Sequence, residues 1–584
     1  FFHSNDRMYA LDAATGKLVE SFGDKGSIDL REGLDRALTP SLKVAAQAPG
    51  RIFGNLLILG TAGEAAPGYI RAIDVQSGKL VWTFHSIPHQ GEPNAADWPK
   101  DAWKTQGGVN NWSGMTLDTE TGILFVTLVG AKPNYYGVDR PGNNLYSNSI
   151  VALDPRTGRR LWHFQTLHHD IWDYDLPQAP KLLKLTRGGR QVDAVLVASK
   201  TGNIFVFDRR TGKPIFPIEE RPVPQSDVPG ERTSPTQPFP MAVPPFARQG
   251  LSVADLDPSL EPDERKRLTQ LIKQSRNEGL FTPPSFRGSI QSPGSWGGTN
   301  MDNGVTDRTG HYYVVSADIP GLAKLEPAGG TGYDLFLKTK ATDPGAALYN
   351  ANCAACHGAD RKGQPPAVPS LDGIAKRRTE AFVRATVTRG RNTMPPFELP
   401  PEQLDALLAH LGYKAPKAPS SGAAASAAGP GSEQKPKGYR SSPNFLFSKR
   451  GVPATKPPWT TLTAYDMNSG TILWKVPYGS LPGLKDSGQI FPRGAIAGTA
   501  GGLLFAGSQD RVMRAWDMKS GKILWQAPLP SIPGGVPAVY QVDGRQFIAV
   551  PAAQYDPSMA AGASNALSKQ GRNSLVAFAL AAQE

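Results

Sequence analysis

A chain of 584 residues with 62 glycines, 53 prolines and 2 cysteines is neither a long-helix protein nor a disulfide-rich scaffold. Glycine and proline together exceed their usual share of about 12%, and that excess asks for many tight turns. The net charge of +12 suits solubility or an acidic partner. No interleaving of aromatic and basic residues accompanies it, so nucleic-acid binding is not expected. No 18-residue apolar run offers a transmembrane helix.

The chain opens on FFHSNDRMYALDAATG, which reads as the middle of a strand pair, so a preceding segment is expected. One unit then recurs: an apolar strand, Asp, two or three residues, Gly, and a second strand often holding Trp. It appears at 10–22, 72–84, 152–164 and 206–218, and again at 464–476 and 515–527. Gly supplies the positive φ of the turn, and Asp can accept hydrogen bonds from the turn backbone. Further strands are read at 51–60, 122–130, 193–200 and 501–510. Six near-copies of one hairpin favour a β-propeller over a tandem of sandwiches. Residues 257–277 read as a surface helix.

Near residue 335 the pattern turns helical. The segments around YDLFLKTKATDPGAALYNANCAACHG, EAFVRATVTRG and PEQLDALLAHLGY form a small α-helical module at 337–413. The flexible-looking stretch SSGAAASAAGPGSEQKPKG lies within a linker, 414–440. The expected division is therefore 1–336 propeller, 337–413 helical module, 414–440 linker and 441–584 last blades, with the module inserted between blades.

Cys353-Ala-Ala-Cys356-His357 is the c-type haem attachment signature. Both thiols bind the haem, and His357 is the proximal iron ligand. A redox Cys-x-x-Cys needs no adjacent histidine, and a structural zinc site lacks a fourth ligand nearby. Met394, in the Pro-flanked RGRNTMPPF, is the candidate sixth ligand; the alternative is a core methionine. Covalent haem attachment places assembly outside the cytoplasm, so a periplasmic location is expected.

Three propeller segments carry candidate chemistry: GGVNNWSG with Trp112, TLHHDIWDYDLP at 166–177, and VASKTGNIFVFDRRTG with Lys200 at a strand end. An Asp beside an aromatic cluster can act as general base, and a Lys can neutralise an anionic cofactor. Trp172 and the His168–His169 pair read equally as packing residues.

HHDIWDYDLP, SKTGNIFVFDRRTG and GTAGGLLFAGSQDRVMRAWD resemble the pyrroloquinoline quinone (PQQ) dehydrogenases, nearest the membrane-bound glucose dehydrogenase branch. That resemblance implies an all-β, eight-bladed β-propeller, its N-terminal part missing from this sequence, with an inserted cytochrome c domain. It implies Asp173 as catalytic base, Lys200 as the lysine that contacts PQQ, and Trp112 as the aromatic floor. Trp296, in WGG at 296–298, resembles the strand entry near the cofactor's far edge. Ca²⁺ in such enzymes is held by oxygen donors, and Glu64 and Asn134 are the best matches. The vicinal cysteine pair of the methanol- and ethanol-oxidising branches is absent.

The implied function is oxidation of a sugar or alcohol hydroxyl by hydride transfer to PQQ, then passage of single electrons to haem c. The onward acceptor would be a soluble cytochrome, a copper protein or the quinone pool. A polyol or secondary-alcohol substrate stays open, as does a non-catalytic haem-bearing propeller that acts as scaffold or electron carrier.

Overall fold

The repeated Asp-x-x-Ser/Thr-Gly unit builds the turns that space the strands. In Asp74–Gly78 the glycine N–H donates to the Asp74 carbonyl at 2.9 Å. Asp74 Oδ1 accepts the Ser77 N–H at 2.8 Å and its hydroxyl at 2.7 Å. The computed structural model describes residues 1–39, 42–301, 304–327, scattered positions from 345 to 363, 369–389, 399, 401–413, 439–441, 444–481, 483–492, 496–552 and 574–579.

Among these residues there are eight antiparallel sheets of three or four strands; seven follow one another along the chain, and the eighth, Ser289–Gln291 with Gly321–Ala323 and Asn444–Phe445, interleaves in sequence with the fifth. The first holds Phe2–Ser4, Arg7–Tyr9 and Ser27–Asp29. The second holds Arg51–Phe53, Leu56–Gly60, Ile70–Asp74 and Leu80–Phe84. The third holds Met115–Asp118, Ile123–Leu128, Ser149–Leu153 and Arg160–Gln165. The fourth holds Lys181–Arg187, Arg190–Ala198 and Ile204–Asp208. The fifth combines Gly304–Thr306 and His311–Ala317 with Thr460–Asp466 and Thr471–Pro477. The sixth holds Ala497–Gly498, Leu503–Ser508, Val512–Asp517 and Ile523–Pro528. Ala538–Val542, Arg545–Ala552 and Ser574–Ala579 make the seventh.

Alternation of side chains across each strand joins neighbouring sheets. In the third sheet Leu124, Val126 and Leu128 meet Ile58, Ile70 and Trp82 of the second. Ile123 and Phe125 meet Val195, Val197 and Phe205 of the fourth. A strand buried on both faces is apolar at nearly every position, and all of Ile123–Leu128 is buried. Blade-on-blade packing of this kind is the propeller architecture.

The turns also dock the blades. Gly212 has φ +69, and a Cβ there would lie 2.6 Å from the Trp162 indole. Trp162 Nε1 donates to the Arg209 carbonyl in the same turn at 2.9 Å. Trp82 sits likewise on the turn ending at Gly158, donating to Pro155, and Trp474 on that ending at Gly521, donating to Met518.

One expectation is corrected. The helical module does not fall between blades: His311–Ala317 and Thr460–Asp466 pair residue for residue, from His311–Asp466 to Ala317–Thr460. The insertion therefore lies inside the fifth sheet, in the connection between its second and third strands. Residues 1–326 and 439–552 belong to one compact unit and 327–438 to a second. The second unit contains helices Glu380–Arg389 and Pro401–His410.

The surface helix is present as Pro262–Gln274, with proline at its start and Leu268 and Ile272 buried beside Leu256 and Ile290. No helix among the described residues is long and apolar enough to cross a membrane.

Candidate active site

In an antiparallel blade, the start of the first strand and the end of the second lie at the same edge. Trp112 precedes the first strand of the third sheet, and Lys132 follows its second. Glu64 follows the second strand of the second sheet, Lys200 that of the fourth, and Trp296 precedes the first strand of the fifth. One edge thus gathers the candidate residues, and of these Glu64 and Trp112 line a cavity of about 430 Å³, while Asp173 and Lys200 reach it only through Asp175. Glu64, Asn110, Trp112, Lys132 and Asp175 line it, with Lys43 at its rim.

Residues 166–177 run from the third sheet to the fourth as an irregular loop held from inside. Asp170 is buried and accepts the N–H of Trp172 at 2.8 Å, that of Tyr174 at 3.1 Å and Asn148 Nδ2 at 3.1 Å. His169 is buried between the Gly142 carbonyl at 2.8 Å and Glu231 Oε1 at 2.9 Å. Trp172 is fully buried, its Nε1 donating to the Thr282 carbonyl at 2.9 Å. His168 hydrogen-bonds Gln165 and Glu220. Trp172 and the histidine pair are therefore packing and loop-holding groups.

This scaffold places Asp173 in the left-handed region, φ +63, a conformation Asp tolerates better than most residues. Lys200 Nζ donates to Asp173 Oδ2 at 3.0 Å and lies 2.9 Å from Asp175 Oδ2. Its side chain is 6% exposed. Trp112 lies beneath, its ring centroid 6.0 Å from Lys200 Nζ. On another side Gly297 admits the lysine stem, since a Cβ there would lie 2.4 Å from Lys200 Cγ.

Burial pushes the Asp173 carboxyl up to about 7, Asp175 adding to the rise and Lys200 opposing it. Asp175 is buried too, but Lys200, Lys132 and the Gly130 N–H hold it below the usual carboxylate value. Lys200 is kept above the ordinary lysine value: the two carboxylates outweigh its desolvation. Burial, with Asp173 close by, raises the Tyr135 phenol well above its normal range, so it stays neutral.

Of the expected site residues, Asp173, Lys200 and Trp112 come together. Trp296 packs against Phe491, with ring centroids 5.0 Å apart, next to the glycine that meets Lys200. Glu64 reaches the cavity with its carboxylate 83% exposed and 3.2 Å from Lys132 Nζ. Asn134 is half-buried and does not line the cavity.

Asp175, Asn110 and Lys132 were not anticipated. Asn110 and Asp175 stand close to expected residues in sequence, in Asn110-Asn111-Trp112 and Asp173-Tyr174-Asp175. Asn110 Oδ1 is buried without a hydrogen-bond partner among the described residues. A flat anionic cofactor fits the indole face and the two lysines, and the unpaired Asn110 amide oxygen is an acceptor left for an N–H or O–H of a bound group. Calcium fits less well, because Glu64 and Asp175 each already face a lysine.

In the second unit, His357 Nδ1 lies 2.8 Å from the Pro369 carbonyl. That bond places the proton on Nδ1 and leaves Nε2 as the ligating nitrogen. The backbone N–H of His357 donates to the Cys353 carbonyl at 2.9 Å, as in a helical turn. Cys353 is buried with Leu348, Tyr349, Val387, Leu407 and Leu411. These residues fit an apolar haem pocket. Cys356 and Met394 lie outside the described residues.

The profile of the PQQ class, described as glucose/ethanol/alcohol dehydrogenase, beta-propeller domain, matches residues 1–359 and 404–548. The profile described as cytochrome C oxidase, cbb3-type, subunit III matches residues 340–411. Quinate/shikimate dehydrogenase (quinone) of Acinetobacter baylyi is 28% identical over 567 residues, 94% of this chain and 59% of its own. Quinoprotein glucose dehydrogenase of Escherichia coli is 28% identical over 575 residues, 94% of this chain and 60% of its own. The chain thus spans about three-fifths of the length of these curated relatives. The crystal structure of quinohemoprotein alcohol dehydrogenase from Comamonas testosteroni shares the fold, with a TM-score of 0.57 at 22% identity. That match covers 98% of this chain and 64% of the other.

Proposed function

The chain belongs to the family of PQQ dehydrogenases built on the glucose/ethanol/alcohol dehydrogenase β-propeller, and we propose that it is a periplasmic quinohaemoprotein dehydrogenase acting on a sugar or alcohol hydroxyl. The carrying observation is a carboxyl poised near neutrality, Asp173, hydrogen-bonded to buried Lys200 above the Trp112 face. When bound, PQQ supplies a two-electron hydride acceptor and haem c a one-electron acceptor for its reoxidation.

The protein's own groups have separable tasks. Trp112 offers an apolar face on which a planar ring can stack. Lys200, kept charged by Asp175, compensates negative charge on a ligand oxygen. Asp173, once ionised, accepts the proton of a substrate hydroxyl within hydrogen-bond reach. His357 Nε2 and Cys353 would hold the haem of the second unit. With haem bound, the onward acceptor would be a soluble cytochrome, a copper protein or the quinone pool. Calcium, with Glu64 and Asn134 as ligands, remains the resemblance's suggestion, and it would have to draw Glu64 away from Lys132.

The test is reconstitution of the haem-loaded protein with PQQ, with and without Ca²⁺. Dye reduction is then followed over sugars, polyols, secondary alcohols and the cyclic polyol quinate named by a relative. Asp173→Asn keeps the shape and tolerates the left-handed backbone. It is expected to lower turnover by about 10²- to 10⁴-fold and to leave the haem spectrum unchanged. Turnover at the wild-type rate would overturn the base assignment. Failure to take up PQQ at all would favour the non-catalytic, haem-bearing scaffold.

A further inference from the structure

Away from the cavity, one cluster among the described residues brings metal-binding side chains within reach of one another. Asp35, His85 and His89 each offer a ligand atom, all within 4.8 Å of one another. Asp35 comes from the connection between the first and second sheets. The two histidines follow the outer strand of the second sheet, Leu80–Phe84.

The surroundings are those of a prepared ligand set. His85 Nδ1 lies 2.8 Å from Glu92 Oε1. Glu92 also accepts the His89 backbone N–H through Oε2 at 2.8 Å. A carboxylate on Nδ1 fixes the proton there and turns the Nε2 lone pair outward, the arrangement that second-shell carboxylates impose on metal-bound histidines. His85 Nε2 makes no hydrogen bond among the described residues. His89 Nε2 lies 2.9 Å from Asp35 Oδ2 and 3.1 Å from the Tyr69 hydroxyl. Trp103 covers the other face of His89, with ring centroids 4.3 Å apart.

We propose that Asp35, His85 and His89 form a binding site for a borderline divalent transition metal, Zn²⁺ in the first instance. The ion takes the place of the proton between His89 Nε2 and Asp35, and His85 Nε2 is the third ligand. Two imidazoles and one carboxylate suit Zn²⁺ better than a hard cation such as Ca²⁺. Metal–ligand bonds of about 2.0–2.2 Å require only a small widening of the His89–Asp35 gap. The imidazoles are stacked, with centroids 3.7 Å apart and planes 10° from parallel, so their lone pairs converge only if one ring tilts. The two side chains are about equally exposed, 23% for His85 and 25% for His89; His89 is stacked on both faces, by His85 and Trp103, so His85 is the ring that would tilt, turning about its bond to Glu92. The fourth position is left to water or to the Tyr69 hydroxyl.

Such an ion would tie the first blade's exit to the second blade. Next to Asp35, Arg36 donates to the carbonyls of Ala65 and Gln106, at 3.2 and 2.6 Å. Ala65 adjoins Glu64 of the cavity lining, so the metal would stiffen that wall from behind.

The experiment uses the haem-loaded full chain, stripped with chelator and titrated with ZnCl₂ by calorimetry. One site of micromolar affinity or tighter is expected. His85→Ala with His89→Ala should abolish it, and Glu92→Gln should weaken it by about 10- to 100-fold. X-ray absorption at the zinc edge of the wild-type protein should show two imidazoles, a reading that needs no variant to fold. The proposal is overturned if wild type and the double variant titrate alike, or if the edge spectrum shows fewer than two imidazoles.

Discussion

Asp170, Asp173 and Asp175 are one residue type in one loop, and their surroundings give them three roles. Asp170 spends its oxygens on backbone N–H groups and shapes the loop. Asp175 is fixed as an anion by two lysines and an N–H. Burial raises both Asp170 and Asp173, the latter up to about 7, but Asp170 is tied to the loop backbone, so it is Asp173 that gives a pH prediction. A base must be ionised, so kcat/KM should climb with pH below about 7 and level off above it. Lys200 stays protonated throughout, because its own value is raised. Steady-state rates from pH 5 to 9 would show the limb; a flat profile would remove Asp173 from the role. Lys200→Met should move the limb upward, since the lysine opposes the rise in Asp173, and should cost about 3 kcal/mol in denaturant unfolding, because buried Asp173 loses its partner while Asp175 keeps Lys132 and the Gly130 N–H. The sequence, through its family likeness, placed Asp173, Lys200 and Trp112 in one site. It did not single out Asp175, because left-handed backbone at His169 and Asp173 (φ +47 and +63) breaks the regular spacing by which neighbours on one face are recognised.

The blade turn was the most readable element, because its chemistry is local: an Asp that caps, a Ser or Thr that bonds to it, and a Gly that turns. Reading stops where flanking strands depend on more than the turn. At 10–22 the turn forms, with Thr15 bonded to Asp12, yet its flanks keep only the bridge between Leu11 and Leu18. After 208, Pro214 and Pro217 lack the N–H a ladder needs, and the fourth sheet stops at three strands. The contrast between turns is testable. Gly16 and Gly212 occupy the same motif with the same φ of +69, but nothing lies within 4 Å of a Cβ at Gly16, whereas Trp162 lies 2.6 Å from one at Gly212. Gly16→Ala should cost about 1–2 kcal/mol, the left-handed strain alone. Gly212→Ala should cost a further 1–3 kcal/mol or so, because the indole must shift out of its seat. Equal losses in chemical unfolding would show that the tryptophan adds nothing to blade docking.

For the whole molecule, the insertion point was the feature the sequence misplaced, because a gap between repeats looks the same whether it falls between blades or within one. Pairing of His311–Ala317 with Thr460–Asp466 settles it. The module occupies the second-to-third-strand connection, the type that carries Glu64, Lys132 and Lys200 in the second, third and fourth sheets. Closing roughly 140 unstructured residues there would cost about 2 kcal/mol more than closing ten. A pairing of strands at the base of the insertion shortens that loop: Leu325–Pro327 and Tyr439–Ser441 lie side by side in one two-stranded sheet. The fifth blade then closes over a neck whose ends already meet. Excising 328–438 and joining the neck by a short Gly-Ser turn should therefore leave a propeller with an unfolding midpoint close to that of the parent. On the proposed function, the shortened protein should lose the haem spectrum and transfer to a one-electron protein acceptor, while keeping substrate-dependent reduction of a small dye once PQQ is added. Collapse of the propeller on excision would mean instead that the inserted unit holds the fifth blade together.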